Sequence, residues 1–199
     1  MIYPETPQWE AKQFMYRLVI TLAVIASIFL LSSCHTYTGT ITHPEGRHVS
    51  QPRIVSPVTF GKHSVSGFVV FTNQSKYLLP GSDQHDWNKI TGLSHSIVPD
   101  GKNVMFAWRY LPEIDSFSVG WYSNLSGNRF GEMVRTATFD TVFFSLEEKP
   151  GHCLFIASGD SALVSYPAWS NISYPRQPWF GGNRAAPNNV SYFLHLSIN

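Results

Sequence analysis

Beyond residue 34 the chain alternates between apolar and polar positions. Near its C-terminus Val190, Tyr192, Leu194, Leu196 and Ile198 take one set of alternate places, and Ser191, Phe193, His195 and Ser197 the other. Successive side chains of a strand point to opposite faces, so such a run buries one face and wets the other. Val142, Phe144 and Leu146 do the same opposite Thr141, Phe143, Ser145 and Glu147, as do Phe117, Val119 and Trp121 opposite Ser116, Ser118, Gly120 and Tyr122. Runs of β-formers predict strands near 54–60, 64–72, 87–93, 103–110, 116–123, 132–139, 141–147, 152–157, 162–166 and 190–198. Turn residues such as Pro80-Gly81, Pro99-Asp100-Gly101, Pro150-Gly151 and Gly159-Asp160 separate them. No segment after residue 34 has a helical period. The pattern predicts one all-β domain over 53–199, a jelly-roll-like antiparallel β-sandwich. Wet faces that mix small polar residues with aromatics suit a solvated concave sheet, where such folds hold ligands.

Two stretches fall outside this rhythm. Residues 34–52 are polar, with Thr, Gly, His and Pro, and read as a flexible tether. Residues 166–189 carry four prolines, Gly181-Gly182 and the rings of Trp169, Tyr174, Trp179 and Phe180. Proline gives no N–H to a ladder, so this stretch reads as a long loop or lid, excluded from a central strand.

The N-terminus predicts an address. Lys12 and Arg17 precede an uncharged run from Leu18 to Ser33, shorter than the ~20 residues that span a bilayer core comfortably. Basic flank, short apolar run and small residues before a break describe a secretory signal peptide over 1–33. Leu31-Ser32-Ser33-Cys34 is similar to the bacterial lipobox, which implies lipidation of Cys34 and a membrane anchor there. His35, where an Asp would favour retention at the inner membrane, points to the outer membrane. With Cys34 so used, Cys153 has no disulfide partner.

Composition narrows the function classes. Charged residues make up 14% of the chain, where an ordinary domain has about 25%, and aromatics make up 15%. A formal net charge of +1 offers no basic field to nucleic acid. The histidines lack metal-ligand spacing and no nucleotide-binding loop occurs, so neither metal nor cofactor is expected.

Candidate chemistry concentrates in residues 82–123, where Lys89 and Arg109 sit inside strand-like runs. Arg is a bidentate fork and Lys a point charge for a carboxylate or sugar; alternatively each stacks on an aromatic ring and reaches water. With His95, Tyr122, Trp179 and Asn183 they form the candidate ligand site. Trp87, Trp108, Trp121, Trp169 and Trp179 could stack sugar rings, although Trp121 shares the apolar face of its strand. Glu113 and Asp115 have the spacing for paired carboxylates, but Ser118 stands where a glucanase-type run needs a third acid. His85, Asp86 and His95 could serve acid–base chemistry, without the motifs of known lyases.

The order Trp87-Asn88-Lys89-Ile90-x-Gly92-Leu93, His95, Trp108-Arg109-Tyr110, Val119-Gly120-Trp121-Tyr122 and Phe180-Gly181-Gly182-Asn183-x-Ala185-Ala186-Pro187 resembles a group of uncharacterised bacterial surface lipoproteins. The resemblance covers about residues 69–199, with Asn188 where that group often carries His. It implies a concanavalin- or glucanase-like sandwich at the cell surface and transfers no catalytic residue. The expectation is a lipid-anchored envelope protein that binds a glycan or other extracellular ligand on its concave sheet. A polysaccharide hydrolase or lyase, and a purely structural envelope protein, are the alternatives.

Overall fold

The computed structural model describes residues 8–30, 35–54, 59–60, 64–95, 102–125, 127–166 and 172–198. The chain divides into two units, Met1–Ser33 and Cys34–Asn199. The first holds helix α1 (Gln8–Leu30). No helix among the described residues is long and apolar enough to cross a membrane.

The second unit is two antiparallel sheets. Sheet A runs β1 (His35–His43), β12 (Val190–Ile198), β3 (Ser64–Phe71), β8 (Thr141–Lys149), β9 (His152–Ala157) and β10 (Asp160–Ser165). Sheet B runs β2 (Thr59–Phe60), β11 (Ile172–Arg176), β4 (Asn88–Ser94), β5 (Asn103–Leu111), β6 (Ser116–Ser123) and β7 (Arg129–Thr136). Chain neighbours that lie in different sheets, such as β3 and β4, make this a jelly-roll-like sandwich.

The alternation decides the core. Val190, Tyr192, Leu194, Leu196 and Ile198 are all buried, as are Val142, Phe144 and Leu146. Between the sheets Phe71 stacks on Phe117 with ring centres 4.5 Å apart, and Trp108 meets Phe71 at 4.9 Å and Tyr192 at 5.6 Å. Each such side chain contributes about 1.5–3 kcal/mol by leaving water. Trp108 belongs wholly to this core, while Trp121 packs on it half-buried.

Three expectations are corrected. Within the segment expected as a tether (34–52), residues 35–43 instead pair one for one with β12, from His35 opposite Ile198 to His43 opposite Val190. Its Thr-x-Thr-x-Thr alternation is a strand pattern whose apolar partners are too few to show in the sequence: Ile41 and His43 are buried, the threonines half-buried or exposed. The proline-rich stretch contributes β11. There Pro175 sits opposite Leu93 of β4, between the pairs Tyr174–Ser94 and Arg176–Gly92. Finally, β7 begins at Arg129, three residues before the expected 132, and ends at Thr136; Phe139 has φ of 71° in the turn that follows.

Candidate functional site

The outer face of sheet B gathers the cations. Register sets Lys89, Ala107, Gly120 and Glu132 in one row across β4, β5, β6 and β7, with Arg109, Ser118 and Arg135 in the next. Ala107 and Gly120 leave the middle of the first row without long side chains. At Gly120 a methyl group would meet the Gly131 carbonyl oxygen at 2.0 Å, so strand pairing itself requires glycine there. A bulge between Val119 and Gly120 brings Glu132, rather than Met133, opposite Gly120.

Each cation is tied from below and from the side. The Lys89 ammonium donates to the carbonyls of Trp87 at 2.7 Å and Gly181 at 3.3 Å, and lies 4.4 Å from the centre of the Tyr122 ring. Burial brings its pKa down to about 8, against the pull of the Asp86 charge. The Arg109 guanidinium lies 4.6 Å from the centre of the Trp87 ring, donates to the His85 carbonyl and faces Glu132 at 3.7 Å. Glu132 also accepts from Ser118 Oγ at 2.8 Å and pairs with Arg135 at 2.6 Å. Burial pushes the Glu132 carboxyl up, but these donors together with the charges of Arg135 and Arg109 outweigh it and hold the pKa below the usual value. Tyr122 donates to Asn128 at 2.8 Å, and burial raises its pKa.

The segment after β11 closes one side. Trp179 exchanges backbone hydrogen bonds with Lys89 at 2.7 and 3.0 Å, stacks on His48 and stays 40% exposed. Phe180 is a buried plug against Tyr77. Gly181, at φ +65°, donates to the buried Asn88 side chain at 2.5 Å, and a methyl at Gly182 would meet Asp86 at 2.7 Å. The Asn183 N–H faces Asp86 at 3.4 Å while its side chain is exposed. Ala186 is buried, bonded through its backbone to Gly46 and Arg47. The run from Phe180 to Ala186 is thus a latch in which Phe180, Gly181, Gly182 and Ala186 meet packing or backbone demands.

Lys89, Arg109, Tyr122 and the Trp179 backbone come together. His95 does not join them. It lies past the far end of β4 from Lys89, mostly buried, 3.1 Å from Glu148 of β8 and stacked on Tyr166. Glu113 and Asp115 lie in the turn between β5 and β6, where Asp115 is bound to Lys76 and Tyr110, away from the sheet face. Cys34, Trp169 and Asp100 lie outside the described residues. Cys153 is free and buried, and burial pushes its thiol pKa up. Among the described residues no cluster of three His, Cys, Asp or Glu is placed to hold a metal.

Glu132 and Phe130 were missed in the sequence. A carboxylate inside a strand-like run was a signal for Glu132, since a mid-strand arginine calls for a counter-charge. Its pairing with Arg109 depends on a bulge that alternation does not show.

The chain matches no protein-family model and no curated protein sequence. Among solved structures it is similar to a polysaccharide lyase of family 18, aly-SJ02, at TM-score 0.52 and 11% identity, over 80% of this chain and 87% of that one. It is also similar to a glycosidic hydrolase at TM-score 0.46 and 10% identity, over 81% and 77%. At these identities the likeness is one of fold, and the first of them agrees with the jelly-roll-like sandwich described above.

Proposed function

We propose that this protein is a cell-envelope lipoprotein, anchored through Cys34, whose sheet B face binds an acidic glycan. The observation that carries the binding role is the convergence of Lys89 and Arg109 on one strand face, bordered by the exposed rings of Trp179 and Phe130. Arginine offers a carboxylate two parallel donors, and exposed rings offer sugar C–H faces a stacking surface. The neighbour of the same fold is named a polysaccharide lyase, so this architecture accommodates a sugar polymer; function must still come from the site. The anchor is supported by the Leu31-Ser32-Ser33-Cys34 run and by the second unit beginning at Cys34. An outer-membrane location follows from the same reading.

A lyase is the second reading. Lys89, with its pKa near 8, lies over Tyr122 with Arg109 in the next row, so Arg109 could hold a uronate carboxylate while the neutral Lys89 amine takes the adjacent proton.

Native gel retardation by polygalacturonate and alginate, using the full chain in mild detergent, tests the binding role. Retardation should weaken at least tenfold in Arg109→Gln. No retardation, or an unchanged one in the variant, leaves both cations with a structural role only. New absorbance of unsaturated uronate products would move the assignment to the lyase. Fatty-acid labelling in cells should be lost in Cys34→Ala; retained label would refute the anchor.

A further inference from the structure

The outer face of sheet A is built from other materials. Register sets Thr36, Ser197, Ser66 and Ser145 side by side across β1, β12, β3 and β8. The next row holds His195, Phe68 and Phe143. Phe68 stacks on His195 with ring centres 5.2 Å apart and planes at 19°, and meets Phe143 at 5.8 Å. Thr38 Oγ1 lies 2.7 Å from His195 Nδ1, which holds the imidazole in that plane. Between rings and hydroxyls runs an open trough of about 540 Å³, within the ~300–1,000 Å³ of small-molecule sites. Phe143 is 61% exposed on its wall. Among the described residues no Lys, Arg, Asp or Glu lines the trough; Glu147 and Lys149, further along β8, pair with each other at 2.5 Å.

We infer that this trough is a second ligand site, independent of the sheet B face, and takes a stretch of uncharged polysaccharide. Pyranose C–H faces carry partial positive charge and settle on the electron-rich face of the exposed Phe143, which is backed by Phe68 in its stack with His195 and Phe193. Serine and threonine hydroxyls both donate and accept, which matches sugar hydroxyls whose direction varies along a chain. A charged ligand would give up hydration here with no counter-charge among the described lining residues to replace it. A bilayer or the apolar face of a protein partner would cover Ser66 and Ser145 without offering them hydrogen bonds, which costs about 1–3 kcal/mol per group. A polyhydroxylated ligand meets both halves of the trough.

The test is native gel electrophoresis of the full chain in nonionic detergent, through hydroxyethyl cellulose, galactomannan or a soluble β-1,3-glucan. At least one neutral polymer should retard the chain. Phe143→Ala and Phe143→Leu should each weaken that retardation at least tenfold with an unchanged urea midpoint, because the side chain is exposed. Phe143→Tyr should retain it. Failure of all three polymers overturns the inference, and so does retardation that Phe143→Leu leaves intact, because binding would then need no ring. A dimer seen by light scattering that dissociates in Phe143→Ala also overturns it and assigns the face to a second copy. Polyuronate lanes are scored separately, so failure of the sheet B reading is distinguishable from failure of this one.

Discussion

On the outer face of sheet B, Lys89 and Arg109 are held by carbonyls, rings and a carboxylate beside the segment that carries Trp179; on the outer face of sheet A, hydroxyls and rings border an open trough. Both faces arise from the same two-residue alternation over the same core. They differ in what crosses them. Once the Phe180 latch settles at Lys89, the ammonium is mostly out of water, and a buried charge persists only when donors and acceptors around it replace its hydration. Among the described residues around the trough of sheet A no cation is buried, and the polar positions there are serines and His195. The comparison teaches that a cation in mid-strand reports a covering segment before it reports a ligand.

The largest expected effect would break both faces at once. Phe71→Ala empties the contact between β3 and the rings of Trp108 and Phe117, and should cost about 3–5 kcal/mol. Urea unfolding followed by tryptophan fluorescence and by circular dichroism should move together. Two separated transitions would mean that the sheets hold independently.

Asn88→Ala should separate the faces. Asn88 is buried, donates to Tyr77 at 2.9 Å and accepts from Gly181. Its loss leaves buried groups unpaired, at about 2 kcal/mol. Amide exchange should quicken at Gly181 and Trp179 and stay slow in β3 and β12. Quickening spread evenly over both sheets would rule out a latch confined to sheet B.

Lys89→Met sharpens the electrostatic half of the contrast through pH. The folded pKa near 8 lies below the free value of 10.5. Below pH 8 both states hold the proton and the full cost of burying the ammonium is present. Between pH 8 and 10.5 the folded chain sheds that proton while the unfolded chain keeps it, so the cost declines as pH rises. Wild type should therefore gain on the order of 1 kcal/mol relative to Lys89→Met between pH 7 and 9.5, read from urea midpoints. A constant gap would show that the amine remains solvated.

The smallest effect is expected at the surface of the latch. Arg184 pairs with Asp83 at 3.0 Å but is 61% exposed, so Arg184→Ala should cost under about 0.5 kcal/mol. A loss as large as that of Asn88→Ala would place the latch's stability at its rim instead of at Asn88 and Phe180.

Most strands were legible because burial on one face writes itself into alternate residues. The bounds of β6, β9 and β12 fall where the alternation put them. β1 was not legible, because a threonine-rich edge strand buries little and its stability comes from a partner some 150 residues away. The candidate site was half legible. Arg109 and Tyr122 alternate with core or apolar neighbours in their own strands, whereas Lys89 joins their face through an irregularity between Lys89 and Thr91, and His95 follows the end of β4 and turns to Glu148. Glu132 became a partner of Arg109 through a bulge, and a one-residue insertion is invisible to a count of two.

The chain by itself determined an all-β sandwich, the core faces of β6, β8 and β12 and the presence of Lys89 and Arg109 within strands, because these rest on local alternation and on scarcity of charge. Tertiary structure decided which cation meets which partner, that the proline-rich stretch contributes a strand and then a latch, and that a ring-and-hydroxyl trough lies on the opposite sheet. Those outcomes depend on register between segments far apart in the chain, and register is set only when the sheets close over a common core.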